Sequence, residues 1–119
     1  MDEIPEQLRN DIQQLQGLQQ QLQSIVAQRQ QFEIQLAEID NALKEIENAD
    51  DSAPIYKSIG AMLIKVKDKE GAKKDLSEQK ELLGVRINSL KKQEEALNGK
   101  ISPLAQRVSQ GLQRYGSSG

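Results

Sequence analysis

The chain of 119 residues contains no cysteine, no histidine and no tryptophan, and its aromatic residues are two Tyr and one Phe. Without cysteine there is no disulfide, no thiolate nucleophile and no soft metal ligand. Without histidine the commonest acid/base group and the usual zinc and haem ligand are gone as well. The acidic pairs Asp2/Glu3 and Asp50/Asp51 lack the loop spacing of a calcium site, so neither a metal nor a cofactor is expected. A G-x-x-x-x-G-K-[ST] phosphate loop is missing, and Gly71-Ala-Lys-Lys resembles one only in outline. No nucleophile-base pair can be drawn, so no enzymatic activity is expected.

The formal net charge is -2, which supplies no basic field for phosphates. Lys65, Lys67, Lys69, Lys73 and Lys74 do cluster, but acidic residues interrupt them, and a solvated face is the reading adopted. Nucleic acid is therefore not an expected partner. No apolar run reaches 18 residues, so no membrane span is expected. Met1-Asp-Glu-Ile-Pro is acidic where a secretory leader would be basic, which points to a cytoplasmic location.

What is present is charge, at 29% of residues, against 36% hydrophobic, a balance typical of long helices and coiled coils. After Pro5, a residue suited to a first helical turn, apolar residues recur at alternating spacings of three and four. Leu8, Leu15, Leu22, Leu36 and Leu43 take one heptad position (a), with Arg29 among them. Leu18, Ile25, Phe32, Ile39 and Ile46 take the other (d), with Asp11 among them. Such a stripe predicts a helix over about 5–49. Turn formers gather over 48–53 ahead of Pro54.

Two short β-type runs follow, Ile55 to Ile59 and Met62 to Val66, separated by Gly60-Ala61, and predict a β-hairpin over 54–67. An isolated hairpin is marginal in water, so partner strands from other chains are expected. Asp68 is a plausible N-cap for a second helix over 69–113. Its seam holds Leu76, Leu83, Leu90, Leu97 and Leu104 at d, with Lys73, Lys80, Ile87, Glu94, Ile101 and Val108 at a. Pro103 removes a helical hydrogen bond and presses on the carbonyl of Gly99, so a kink or restart is expected near 99–103. Residues 114–119 are expected to be a disordered tail.

A hairpin between the two stripes makes them antiparallel, and each a residue then faces a d residue of the other arm. The apolar layers coincide when the fold point lies between residues 59 and 60. Leu43 then faces Leu76, Leu36 faces Leu83, Leu22 faces Leu97 and Leu15 faces Leu104. Arg29 and Glu94 fall in adjacent layers, where an ion pair would fix the register. Lys80 can lay its stem along Ile39. Beyond Leu15 and Leu104 the layers Asp11/Val108 and Leu8/Gly111 look poor. Ile4, Leu8, Ile12, Val108, Leu112 and Tyr115 are therefore expected to lack good seam partners, either as frayed ends of no consequence or as an exposed apolar tip that binds something. Arms of about 40 residues at 1.5 Å per residue would hold that tip roughly 60 Å from the hairpin.

The helix, hairpin and helix layout, with Val26-Ala-Gln-Arg-Gln-Gln, Glu45-Ile-Glu, Ile55-Tyr-Lys-Ser-Ile-Gly-Ala-Met-Leu-Ile-Lys-Val and Lys92-Gln-Glu-Glu, resembles the prefoldin family, in its archaeal β-subunit type. The resemblance covers about residues 4–112. It implies a mainly α single unit: an antiparallel two-helix coiled coil with an inserted β-hairpin, oligomerising through a β-barrel platform. It implies an ATP-independent chaperone that holds non-native client proteins and passes them to a group II chaperonin. The partners implied are a prefoldin α subunit and further β subunits, together forming a hexamer. On this sequence the hairpin residues Ile55, Tyr56, Ile59, Gly60, Met62, Leu63, Ile64 and Val66 would form the assembly surface. Ile4, Leu8, Ile12, Val108, Leu112 and Tyr115 would contact clients. The rival reading is a structural coiled-coil tether that binds no client.

Overall fold

Each long helix begins where the chain itself can satisfy the first backbone N–H groups. In the computed structural model, which describes residues 4–117, the carbonyl of Pro5 accepts the first helical bond from the Arg9 N–H at 2.9 Å. Helix α1 (Glu6–Asn48) follows. Strands β1 (Ile55–Ile59) and β2 (Met62–Val66) come next, and α2 (Lys69–Ser117) completes the chain. At the start of α2 the Asp68 carboxylate accepts from the Gly71 N–H, the N-cap geometry expected of that residue. Gly71 is small for a reason: a Cβ there would lie 2.8 Å from the Asp68 Oδ1.

The connector between α1 and β1 is held by side chains. Asp50 Oδ1 accepts from the backbone N–H of Ser52 at 3.0 Å and from its hydroxyl at 3.1 Å. These bonds hold the exposed Asp50 carboxyl below its usual range. Lys69 donates from Nζ to the Ala49 carbonyl at 3.1 Å and sits 3.3 Å from the Asp51 carboxylate. It thus places a cation on the carbonyl end of α1, where the helix dipole favours one.

The chain packs as two units, one of α1 up to Arg29 with α2 from Ser89 on, the other from Gln30 to Asn88. In the first, the two helices lie antiparallel over buried Leu90, Leu97, Leu104 and Val108. Leu8 meets Gly111 toward the helix ends, and Arg29 meets Glu94 toward the other limit of the unit. The Arg29 fork grips Glu94 with Nε at 2.5 Å from Oε2 and Nη2 at 3.1 Å from Oε1.

In the second unit the buried residues are Ala72, Leu83 and Ile87. The Arg86 guanidinium lies 5.8 Å above the centre of the Phe32 ring. Lys80, with its stem free to lie along α1, reaches the Asp40 carboxylate at 2.8 Å. Lys73 pairs with Glu47 at 2.6 Å, which holds the Glu47 carboxyl below its usual range. Glu47 stands mostly in water while Lys73 is half-buried, so screening leaves the pair little stabilising effect.

Of the kink or restart expected near 99–103, the restart does not occur: α2 runs unbroken with Pro103 inside it. A proline deletes one hydrogen bond, and buried Leu97 on one side and Leu104 and Val108 on the other hold the backbone helical across the gap. Nor is the segment from 114 disordered as far as it is described: α2 continues to Ser117, and Tyr115 is half-buried. Residues 118 and 119 of the expected tail lie outside the described residues.

Replacing Glu94 alone by Ala removes the bidentate partner of the half-buried Arg29 guanidinium, and is expected to cost roughly 1–3 kcal/mol in thermal unfolding. Replacing both partners by Met is expected to recover most of that loss, since an apolar layer needs no compensating charge.

Candidate functional site

Ten residues of alternating side chains and a two-residue loop build the hairpin. Its register pairs Ile55 with Val66, Tyr56 with Lys65, Lys57 with Ile64, Ser58 with Leu63 and Ile59 with Met62. The loop is therefore Gly60-Ala61, one residue later than the seam layers suggested. The connectors on its two sides, 49–54 and 67–68, differ in length and allow that offset. Gly60 has φ 58° while no other described residue has positive φ, which fits a type II′ turn, with glycine at its first central position.

Pleating places Ile55, Lys57, Ile59, Met62, Ile64 and Val66 on one face. Ile55 and Val66 are half-buried, and Lys57 pairs with Asp75 of α2 at 3.3 Å. Toward the loop nothing covers either face. Tyr56, Ile59, Met62, Leu63 and Ile64 are all exposed, Leu63 to 72%. Among the described residues the sheet has two strands, so its outer backbone edges find no further strand there, a surface suited to strand addition.

The second candidate is the end of the first unit where the helix termini meet, and here the structure departs from the sequence reading. Of the six residues expected to lack seam partners, Leu8 is 6% exposed and Val108 7%. The layer that looked empty is filled. Gly111 has no Cβ, and an ideal one would stand 2.7 Å from the Leu8 Cδ1, so the missing side chain is the socket that receives Leu8. Ile12 and Tyr115 are half-buried. Only Ile4, at 36%, and Leu112, at 45%, are exposed.

Beside that layer lies Asp11, which sequence reasoning treated as a flaw in the seam. It is 4% exposed and fully partnered. Arg107 donates from Nε to Oδ2 and from Nη2 to Oδ1, both at 3.0 Å, and Gln7 Nε2 donates to Oδ1 at 3.0 Å. Arg107 was missed, although the signal existed. It is the residue next to Val108, which faces Asp11 in the seam, so its long side chain can reach the carboxylate from the flank of the same layer. An open groove of about 470 Å³ runs along this end, lined by Pro5, Gln7, Leu8, Arg107, Gly111 and Tyr115 among others.

Among the described residues no cluster of three or more His, Cys, Asp or Glu could hold a metal ion. No described helix is long and apolar enough to cross a membrane.

Comparison with known proteins gives one consistent result. A family model described as prefoldin subunit matches residues 9–115. The chain is similar to the prefoldin subunit beta of Archaeoglobus fulgidus, at 43% identity over 91% of this chain and 92% of that one. It is 44% identical to the Methanocella arvoryzae prefoldin subunit beta, over 100% and 94% of the two chains. Among solved structures it resembles the crystal structure of the prefoldin beta subunit from Thermococcus strain KS-1. That match has a TM-score of 0.81 and 39% identity, and covers 94% of this chain and 97% of that one.

The difference in burial predicts a difference in stability. Leu8→Ser removes a buried side chain and is expected to cost roughly 2–3 kcal/mol of seam stability. Leu112→Ser, at an exposed site, is expected to cost under about 0.5 kcal/mol. Urea unfolding of the two variants measures both.

Proposed function

The chain belongs to the prefoldin family as a β-type subunit, and from that premise we propose that it is a holdase subunit capturing non-native proteins without ATP. Family membership implies a chaperone role and hetero-oligomeric assembly with other prefoldin subunits. The finer reading is that hairpins of this chain and of an α-type subunit join edge to edge in a β-barrel platform. The assembly is then a hexamer containing further β subunits, located in the cytoplasm, that delivers its clients to a group II chaperonin.

The observation that carries this reading is the set of apolar side chains left in water: Tyr56, Ile59, Met62, Leu63 and Ile64 on the hairpin, and Ile4 and Leu112 at the helix ends. A two-stranded sheet of this kind gains stability by adding strands. At the helix ends a few exposed apolar groups per arm suit weak, shape-tolerant contact with unfolded chains, which several arms together would multiply. Arg29 and Glu94 serve this scheme by fixing the register that brings the helix ends level.

Two experiments divide the proposal. Met62→Glu with Leu63→Glu is expected to leave the subunit helical by circular dichroism while abolishing the hexamer with an archaeal prefoldin α subunit in light scattering. A hexamer that still forms would refute the assembly surface. Ile4→Ser, Ile12→Ser and Leu112→Ser together are expected to assemble normally yet lose most suppression of aggregation of guanidine-unfolded citrate synthase. Full suppression by this variant would favour the tether.

A further inference from the structure

The helix ends hold a contradiction for a surface that binds apolar clients: two of the best-placed side chains, Leu8 and Val108, are hidden in the seam. We propose that Asp11, Arg107 and Gly111 form a latch that keeps this end shut, and that the client-competent state is the one in which the latch has opened. The inference rests on the client-capture reading of the same helix ends.

Three features of the first unit support it. The layer beside Leu8 sets a buried carboxylate, clasped from the flank by a guanidinium, against Val108 where an ordinary layer has two apolar side chains. Such a pair gives a unique closed geometry but holds helices together less strongly than a hydrophobic layer of the same volume. The Arg107 side chain is 61% exposed while that of Asp11 is 6% exposed, so Arg107 can swing into water without crossing the seam. The outermost layer joins Leu8 to a glycine, which buries one side chain where an ordinary layer buries two.

The backbone of α2 is also weakened just before these layers. Pro103 lacks the N–H that would bond the carbonyl of Gly99, and at Gly99 a Cβ would meet nothing within 4 Å. The stretch carrying Arg107, Val108 and Gly111 thus follows a point where bending is cheap. Opening there would bring Leu8 and Val108 into water beside Ile4, Ile12 and Leu112, enlarging the apolar surface only when a client competes for it. Closed, the arms hide that surface from one another. A site populated only in a minor open state binds with an affinity reduced by the fraction that is open.

The test uses the full chain assembled with an α-type subunit, and guanidine-unfolded citrate synthase as the client. Arg107→Ala removes the clasp, and Gly111→Ala fills the Leu8 socket. Each is expected to lower the concentration needed for half-suppression of aggregation several-fold. Hydrogen exchange is expected to quicken at residues 6–12 and 104–112 and to stay unchanged in the hairpin. Asp11→Leu with Arg107→Gln replaces the clasp by an apolar layer of Leu against Val108 and is expected to raise that concentration several-fold, although every proposed client-contacting residue is intact. Adding Leu8→Ser to Arg107→Ala is expected to erase the gain.

If the variant with the apolar layer suppresses aggregation as well as the natural chain, or Arg107→Ala suppresses it less well, the latch is overturned. Loss of suppression on making Ile4, Ile12 and Leu112 polar would leave client capture standing in that case. Retained suppression by that same triple variant would overturn capture itself.

Discussion

Neither long helix can hide its apolar stripe alone, and most of what the molecule does follows from that. An isolated helix in water is marginal, and its stability in a protein comes from packing one face. Here the only face available is that of the other helix, so the two must lie antiparallel with complementary layers. In the second unit the same pairing sets Phe32 beside Arg86 and Asp40 beside Lys80. In the first it sets Leu8 against Gly111. An apolar seam alone tolerates slippage by whole heptads. Polar layers do not, because a slipped carboxylate would be buried without its partner.

The two polar layers of the first unit differ in surroundings. Arg29 and Glu94 are both largely shielded, at 20% and 17% side-chain exposure, with buried Leu90 and Leu97 about one turn to either side of Glu94 on α2. Asp11 is buried more deeply, but its partner stands mostly in water and the neighbouring layer contains a glycine. The first arrangement suits a fixed register, the second an end that can part. The same chemistry, a bidentate arginine on a carboxylate, thus supports opposite mechanical roles according to what packs beside it.

At the hairpin the constraint is the reverse. Strands of five residues with a II′ turn have little to pack against beyond Ile55, Val66 and the nearby helix, so their outer part remains apolar and uncovered. Assembly with other subunits, which family membership implies, is the natural remedy, since unpaired strand edges are satisfied by further strands. The chain is thereby a part whose stability is completed by its neighbours.

The alternation of apolar residues at three and four determined the helices and their antiparallel order. The β-branched run around Gly60 determined the hairpin, because local periodicity and turn chemistry act over a few residues. Asp68 as N-cap and the Arg29–Glu94 pair were legible for the same reason. What only the tertiary structure decided lay where a residue's meaning depends on what faces it. Gly111 reads as a gap in a stripe until Leu8 is seen to fill it. Asp11 reads as a defect until Arg107 reaches across from the other helix. Pro103 reads as a break until α2 is found to run on through it, with buried leucines on both sides. Burial is a property of pairs of surfaces, so a single sequence shows which side chains want cover but not which of them receive it.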